Sequence, residues 1–318
     1  MLGCHVVHAC LRQGRAVRAF VRPQSNRRLL AELDLEFATG DLGDRASLAR
    51  AMAGCEAVVH AAAPYPHRHF GRRRFLADAR AGMAGFLCTA LDAARQGSLR
   101  RCVYVSSATT IGRAHGRPAR EDDRPPIDDP SPYFRVKAML EAMAAEAARS
   151  GLPLTIVNPT FCVDEFDDHR TTAQLLVPLA KGWLPAYVPG RLNAVATRDV
   201  GAGIVSALER GRRGARYILG GENLTSRAFL ERCAHIAGVA PPRLALPVPL
   251  AELISLKTEL LAYPFRAAPL FPLTGIRMIK HGQAYDISRA RDELGYAPTP
   301  LDPAIERAFA WYRKRDFI

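Results

Sequence analysis

Residues 1–22, MLGCHVVHACLRQGRAVRAFVR, decide how the chain is read. The stretch 4–13 has helical character, Gln13-Gly14 supplies a turn, and AVRAFVR at 16–22 is a strand candidate ending on Arg22. A helix, a turn and a second strand follow the opening strand and glycine loop of a doubly wound α/β sheet. Gly3 stands where the last glycine of that loop belongs. Neither a first strand nor the two earlier glycines precede it. The expectation is therefore a parallel sheet with its first strand missing or incomplete, the chain being short by roughly ten residues, one strand plus turn.

Working outward, LEFATGD (35–41), AVVHAAA (57–63), CVYVSS (102–107) and LTIVNPT (154–160) read as further strands, with helices at 44–53, 76–96 and 133–149 between them. Strands alternating with alanine-rich helices imply βαβ units on a parallel sheet. Asp44 with Ser47, or Asp41 with Asp44, can cap the helix at 44–53. A length of 318 residues suits one nucleotide-type domain with a smaller lobe. From about 161 onward prolines accumulate and the pattern loosens, so the division expected is 1–165 for the α/β domain and 166–318 for a mixed lobe. Within the second part, RYILGG (216–221) reads as a strand and 191–221 is expected to return to the first sheet. Helices are expected at 199–210, 225–237 and 303–315.

Composition narrows the function classes. Hydrophobic residues make up 48% and charged residues 24%, as in a globular chain rather than a disordered one. The most apolar run, LALPVPLAELISLKTELLAYPF, is interrupted by Glu252, Lys257, Glu259 and prolines, short of the roughly 20 apolar residues of a spanning helix. No signal-peptide pattern opens the chain. The seven cysteines are scattered without a C-x-x-C pair, which argues against a disulfide framework or zinc site and for a reducing cytoplasm. The net charge of +13 comes from 44 basic residues of which five are lysine, the arginines being spread along the chain. That spread reads as compositional bias rather than a nucleic-acid footprint. One dense run, HRHFGRRRF (67–75), could meet phosphate or a membrane surface. His67 and His69 lack neighbouring carboxylates, and no metal is expected there.

The chemistry gathers elsewhere. Ser107 ends a strand, and Ser131-Pro132 opens a helix carrying Tyr133 and Lys137. Four residues apart, the two side chains share a helical face. An ammonium beside a phenol favours the phenolate, lowering a pKa ordinarily near 10 and making tyrosine a usable proton donor or acceptor. A serine hydroxyl from a strand end can hold a substrate oxygen whose charge changes as hydride moves. In a chain that uses arginine almost everywhere, a lysine at 137 suits a place that needs a compact ammonium.

With these residues in order, the chain resembles an extended short-chain dehydrogenase/reductase of the NAD-dependent epimerase/dehydratase type, nearest the hopanoid-associated sugar epimerase-like and dihydroflavonol-reductase-like groups. The likeness runs through VRAFVRPQSNRRLL, GDLGDRASLARAMAGCEAVVHAAA, VYVSSATT, the Y-x-x-x-K, VNPT, RYILGGENLT and ARDELGYAPT. It implies a Rossmann domain binding NAD(P), a C-terminal substrate lobe and a catalytic set of Ser107, Tyr133 and Lys137. For the cofactor it implies Gly3 as the third loop glycine, Asp41 and Leu42 beside adenine, and Ala61, Ala62 and Ala63 beside the ribose and nicotinamide. Pro159 matches the turn at the carboxamide, and Tyr133 and Lys137 also face the nicotinamide ribose. Arg22 replaces the acid of NAD-preferring members and suits the 2′-phosphate of NADP, with Ser25 and Arg27 in support; NAD is the other possibility. Gly82 or Met83 stands where members usually carry an asparagine.

The expected activity is a cytoplasmic NADP-dependent hydride transfer to or from a carbonyl or alcohol carbon, of ketone-reductase or NDP-sugar epimerase type. The alternative is a non-catalytic dinucleotide-binding protein that has lost its glycine loop. A sugar nucleotide would call on Arg191, Arg198 or Arg277 for its phosphates, whereas the apolar run 244–276 would suit an apolar ketone or alcohol. Neither nucleic acid nor a membrane span is expected, and family members suggest a homodimer.

Overall fold

The computed structural model describes residues 1–62, 72–124, 128–168, 171–262 and 272–318. Its first half runs α1 (Leu2–Arg12), β1 (Arg18–Val21), β2 (Glu36–Thr39), α2 (Arg45–Met52), β3 (Ala57–His60), α3 (Arg72–Arg95), β4 (Arg101–Val105), α4 (Pro132–Arg149) and β5 (Leu154–Pro159). Then come β6 (Phe161–Val163), α5 (Ala173–Ala180), β7 (Ala186–Tyr187), β8 (Arg191–Ala196), α6 (Thr197–Arg210), β9 (Arg216–Leu219), β10 (Glu222–Thr225) and α7 (Ser226–Ala237). The chain closes with β11 (Leu244–Ala245), α8 (Val248–Ala262), α9 (Leu273–Lys280), α10 (Ser288–Leu294) and α11 (Asp302–Lys314).

The parallel strands form two pieces, β1–β2 and β3–β4–β5–β9. Among the described residues β1 and β3 do not pair, so the parallel strands form two separate pieces. The four-stranded piece is covered on both faces, which is why every residue of β5 and residues 102–105 of β4 are buried. The period of two sorts their side chains. Val103, Val105 and Val157 pack with Val6 of α1, Val200 and Ile204 of α6 and Leu294 of α10. Cys102, Tyr104, Leu154 and Ile156 pack on the other face with Leu48 of α2, Phe86 of α3 and Leu140 of α4. Gly201 permits the close crossing of α1 and α6, since a Cβ there would stand 2.7 Å from the His5 carbonyl oxygen.

Helix starts follow local chemistry. The Asp44 side chain accepts the Ala46 N–H and caps α2, and Thr225 accepts the Ala228 N–H and caps α7. Pro132 occupies the first turn of α4, where its missing N–H costs nothing. Asp129 accepts the Ser131 N–H at 2.8 Å and fixes the entry of that helix.

β9 joins the first sheet beside β5, while β8 builds a second sheet, parallel to β6 and antiparallel to β10. A separate core of Leu176, Phe229, Ile305, Phe309 and Tyr312 lies among α5, α7 and α11.

Candidate active site

Most of the residues singled out from the sequence lie at strand carboxyl ends, the edge where open α/β sheets bind ligands. Arg22 follows β1, Asp41 and Leu42 follow β2, Ala61 and Ala62 follow β3, Ser107 follows β4, and Pro159 ends β5. Ala63 lies outside the described residues, as does most of the basic run at 67–75.

Two elements deliver the reacting groups. The extended Ser107, at the start of a short 3-10 turn over Ala108–Thr110, takes the Thr109 N–H on its hydroxyl. From the first turn of α4, the Tyr133 hydroxyl donates to Ser107 Oγ at 3.3 Å. One turn later Lys137 Nζ donates to the Ser106 carbonyl at 3.4 Å. Tyr133, Ser107 and Lys137 are all buried. Burial pushes the Lys137 ammonium down to about 8, with Glu141 pulling it partway back. Burial also raises the Tyr133 phenol, the Ser107 hydrogen bond opposing it. This differs from the lowered phenol expected from Y-x-x-x-K spacing: a buried ring loses its water before it gains a charge. At neutral pH Tyr133 thus carries its proton.

The spacing of four continues to Glu141, which the sequence reading missed. Its carboxylate accepts from Thr110 Oγ1 at 2.6 Å and from Asn158 Nδ2 at 2.6 Å, and pairs with Arg216 at 2.8 Å. Asn158 Nδ2 also reaches the Ser107 carbonyl at 3.1 Å, and Arg216 donates to the Glu121 and Thr110 carbonyls. A buried ionic network therefore holds the backbone that carries Ser107. Beside Lys137, His60 is buried between the Phe86 and Tyr104 rings, with its pKa lowered to about 4 by burial, so it is neutral.

The fit to a dinucleotide rests on three features. A Cβ on Gly3, in the first turn of α1, would meet nothing within 4 Å, so that glycine answers no packing need of the chain. Arg22 is exposed at the end of β1, and Arg27, bonded to Thr39 Oγ1 at 2.8 Å, stands at the end of β2. Leu42 packs on α3, where a Cβ on Gly85 would lie 2.9 Å from its carbonyl oxygen. At the position where an asparagine is usual, Met83 is core and a Cβ on Gly82 would face Leu42 at 3.5 Å.

The model of the NAD dependent epimerase/dehydratase family matches residues 1–220. The chain belongs to that family. As a member it is an enzyme of the extended short-chain dehydrogenase/reductase type that uses a nicotinamide dinucleotide. It is 36% identical to the sterol demethylase protein B of Methylococcus capsulatus over 321 residues, covering 100% of this chain and 97% of that one. It is 31% identical to a putative dihydroflavonol 4-reductase of Synechocystis over 324 residues, covering 100% and 93%. Among solved structures, a nucleoside-diphosphate-sugar epimerase from Pseudomonas aeruginosa superposes with a TM-score of 0.80 at 29% identity, covering 100% and 95%. A dTDP-glucose 4,6-dehydratase from Streptomyces venezuelae, at 24% identity and a TM-score of 0.75 over 98% and 94% of the two chains, shares the fold.

Two of the arginines considered for substrate phosphates are already engaged. Arg198 pairs with Glu165 at 3.2 Å, and Arg277 reaches Asp129 at 3.2 Å. Arg191 is exposed at the start of β8. Asp129 also meets His281 Nε2 at 2.9 Å, and the His281 ring stands edge-on to Phe134.

Proposed function

We propose that the protein is an NADPH-dependent reductase of a carbonyl group on an apolar, polycyclic molecule. The observation that carries the reading is the Tyr133 hydroxyl held on Ser107 Oγ at 3.3 Å, one helical turn from Lys137, beyond the carboxyl end of β4.

When bound, the dinucleotide supplies the hydride. The remaining work falls to the chain. Tyr133, protonated at neutral pH, donates its proton to the substrate oxygen as the carbonyl becomes an alcohol. Ser107 shares that oxygen and fixes its direction, giving a donor where negative charge develops. Lys137, buried beside the Ser106 carbonyl, orients the ribose edge of the cofactor and stands ready to stabilise the phenolate left on Tyr133. Asp41 and Leu42 would hold the adenine, Ala61, Ala62 and Pro159 the nicotinamide half, and the Gly3 turn the phosphates. Arg22, with Ser25 and Arg27 alongside, would take the 2′-phosphate.

An apolar substrate is favoured over a sugar nucleotide because Arg198 and Arg277 are spent on carboxylates. The names of two relatives above 30% identity, a sterol demethylase protein and a putative dihydroflavonol reductase, support the same reading.

The test is a titration with NADPH and NADH in the wild type and Arg22→Ala, followed by turnover of a polycyclic ketone against an NDP-sugar. NADPH is expected to bind tighter, and Arg22→Ala to weaken it about 10–100-fold, the worth of a charge-assisted phosphate contact, with NADH unchanged. Equal affinities, or turnover of the NDP-sugar alone, would overturn the reading.

A further inference from the structure

We infer that the outward face of α8, with Trp183 and Leu244, docks on an anionic lipid surface. An ordinary surface helix turns its apolar stripe to the core and its polar face to water. α8 does the reverse. Ala251, Ser255 and Glu259, spaced by four, are buried, whereas Leu253, Leu260 and Leu261 are exposed by 50, 52 and 73%.

The charges on α8 are sorted as well. Glu252 pairs with Lys280 at 3.1 Å and Glu259 accepts the Leu273 N–H at 2.9 Å, so both carboxylates are turned to α9. Lys257 is the charged side chain of α8 that is exposed.

Further exposed apolar residues precede the helix along the chain. β11 leads into α8 through Leu246 and Pro247, and Leu244 is 65% exposed. The Leu244 N–H donates to the Pro185 carbonyl at 3.3 Å, which brings in Trp183, 69% exposed, with Lys181 Nζ 5.0 Å from its ring centre. The segments 173–191 and 238–251 contain no Asp or Glu but carry Lys181, Arg191 and Arg243.

These features select the occupant. A contiguous exposed face of leucines marks an interaction surface rather than the scattered apolar residues of an ordinary exterior. A second copy would bring basic flanks against basic flanks. A bilayer takes leucines into its acyl boundary, seats an indole at the headgroups, and lets lysine stems lie along the apolar face with ammoniums on lipid phosphates. Docking also has a route to the site. The α9 helix beside α8 carries Arg277 and is followed by His281, and both hold Asp129 at the entry of α4. Among the described residues no helix is long and apolar enough to cross a membrane, so the contact is with the surface.

The experiment is co-sedimentation of the full chain with vesicles of phosphatidylcholine alone or mixed with phosphatidylglycerol; it needs neither dinucleotide nor substrate and stands apart from the reductase reading. The mixed vesicles are expected to capture the protein about tenfold more tightly. The double variant Leu253→Ser/Leu260→Ser is expected to weaken capture about tenfold and Lys257→Glu severalfold, with melting temperatures unchanged. Equal capture by both vesicles, or undiminished capture of the double variant, would overturn the proposal. So would a self-associated chain that ignores vesicles and is dispersed by the double variant.

Discussion

Glu141 and Arg216 form a buried pair, their side chains 10% and 9% exposed and 2.8 Å apart, so removing one charge strands the other. Glu141→Gln keeps the volume but leaves the Arg216 guanidinium facing an amide. Arg216→Met leaves a carboxylate with Thr110 and Asn158 as donors. Each single change is expected to cost about 3–5 kcal/mol, because an unpaired buried charge keeps its desolvation penalty without the compensating attraction. In a thermal melt this corresponds to a fall of roughly 5–10 °C. The double variant removes both charges and is expected to cost about 2 kcal/mol less than the sum. Glu141→Gln also withdraws the negative charge that raises Lys137, so the lysine loses its proton below about pH 8 and that limb of the activity profile moves to lower pH. Additive costs within about 0.5 kcal/mol, or a Glu141→Gln enzyme with the wild-type pH profile, would refute the network.

Lys137 gives a second pH signature. Its ordinary value of 10.5 falls to about 8 in the folded chain, so between those values the unfolded chain binds more protons and stability rises with pH. At about 1.4 kcal/mol per pH unit this gain is about 3 kcal/mol. It should vanish in Lys137→Met, as measured by denaturation at pH 7.5 and 10.5; an identical pH dependence in the two proteins would count against the buried ammonium. At the crossing of α1 and α6, Gly201→Ala would place a Cβ 2.7 Å from the His5 carbonyl oxygen and is expected to cost about 1–3 kcal/mol. An unchanged melting temperature would show that the two helices separate freely.

Much of the α/β half was legible because its signals are local. Short β-branched runs between alanine-rich stretches marked β4 and β5, and Asp44 marked the start of α2. Tyr133 and Lys137 could be placed on one face because helical spacing is fixed. The rest depends on distant partners. Glu141 meets Asn158 and Thr110 across 17 and 31 residues, and Arg216 meets Thr110 across 106, separations that no local pattern encodes. The spacing 133, 137, 141 was the one hint available. The apolar run 244–276 is visible in the sequence, but α8 does not read as a helix with an outward apolar face, because its leucines point outward and its small and polar residues inward, leaving no stripe toward the core. Arg198 and Arg277 looked free for phosphate because Glu165 and Asp129 approach them only through the fold.

The central claim is that the Tyr133 phenol delivers the proton that accompanies hydride transfer, and single-turnover oxidation of bound NADPH by a polycyclic ketone tests it most directly. Tyr133→Phe is expected to slow that step about 10²–10⁴-fold while NADPH affinity and melting temperature hold. A Tyr133→Phe enzyme that oxidises NADPH at the wild-type rate would contradict the account.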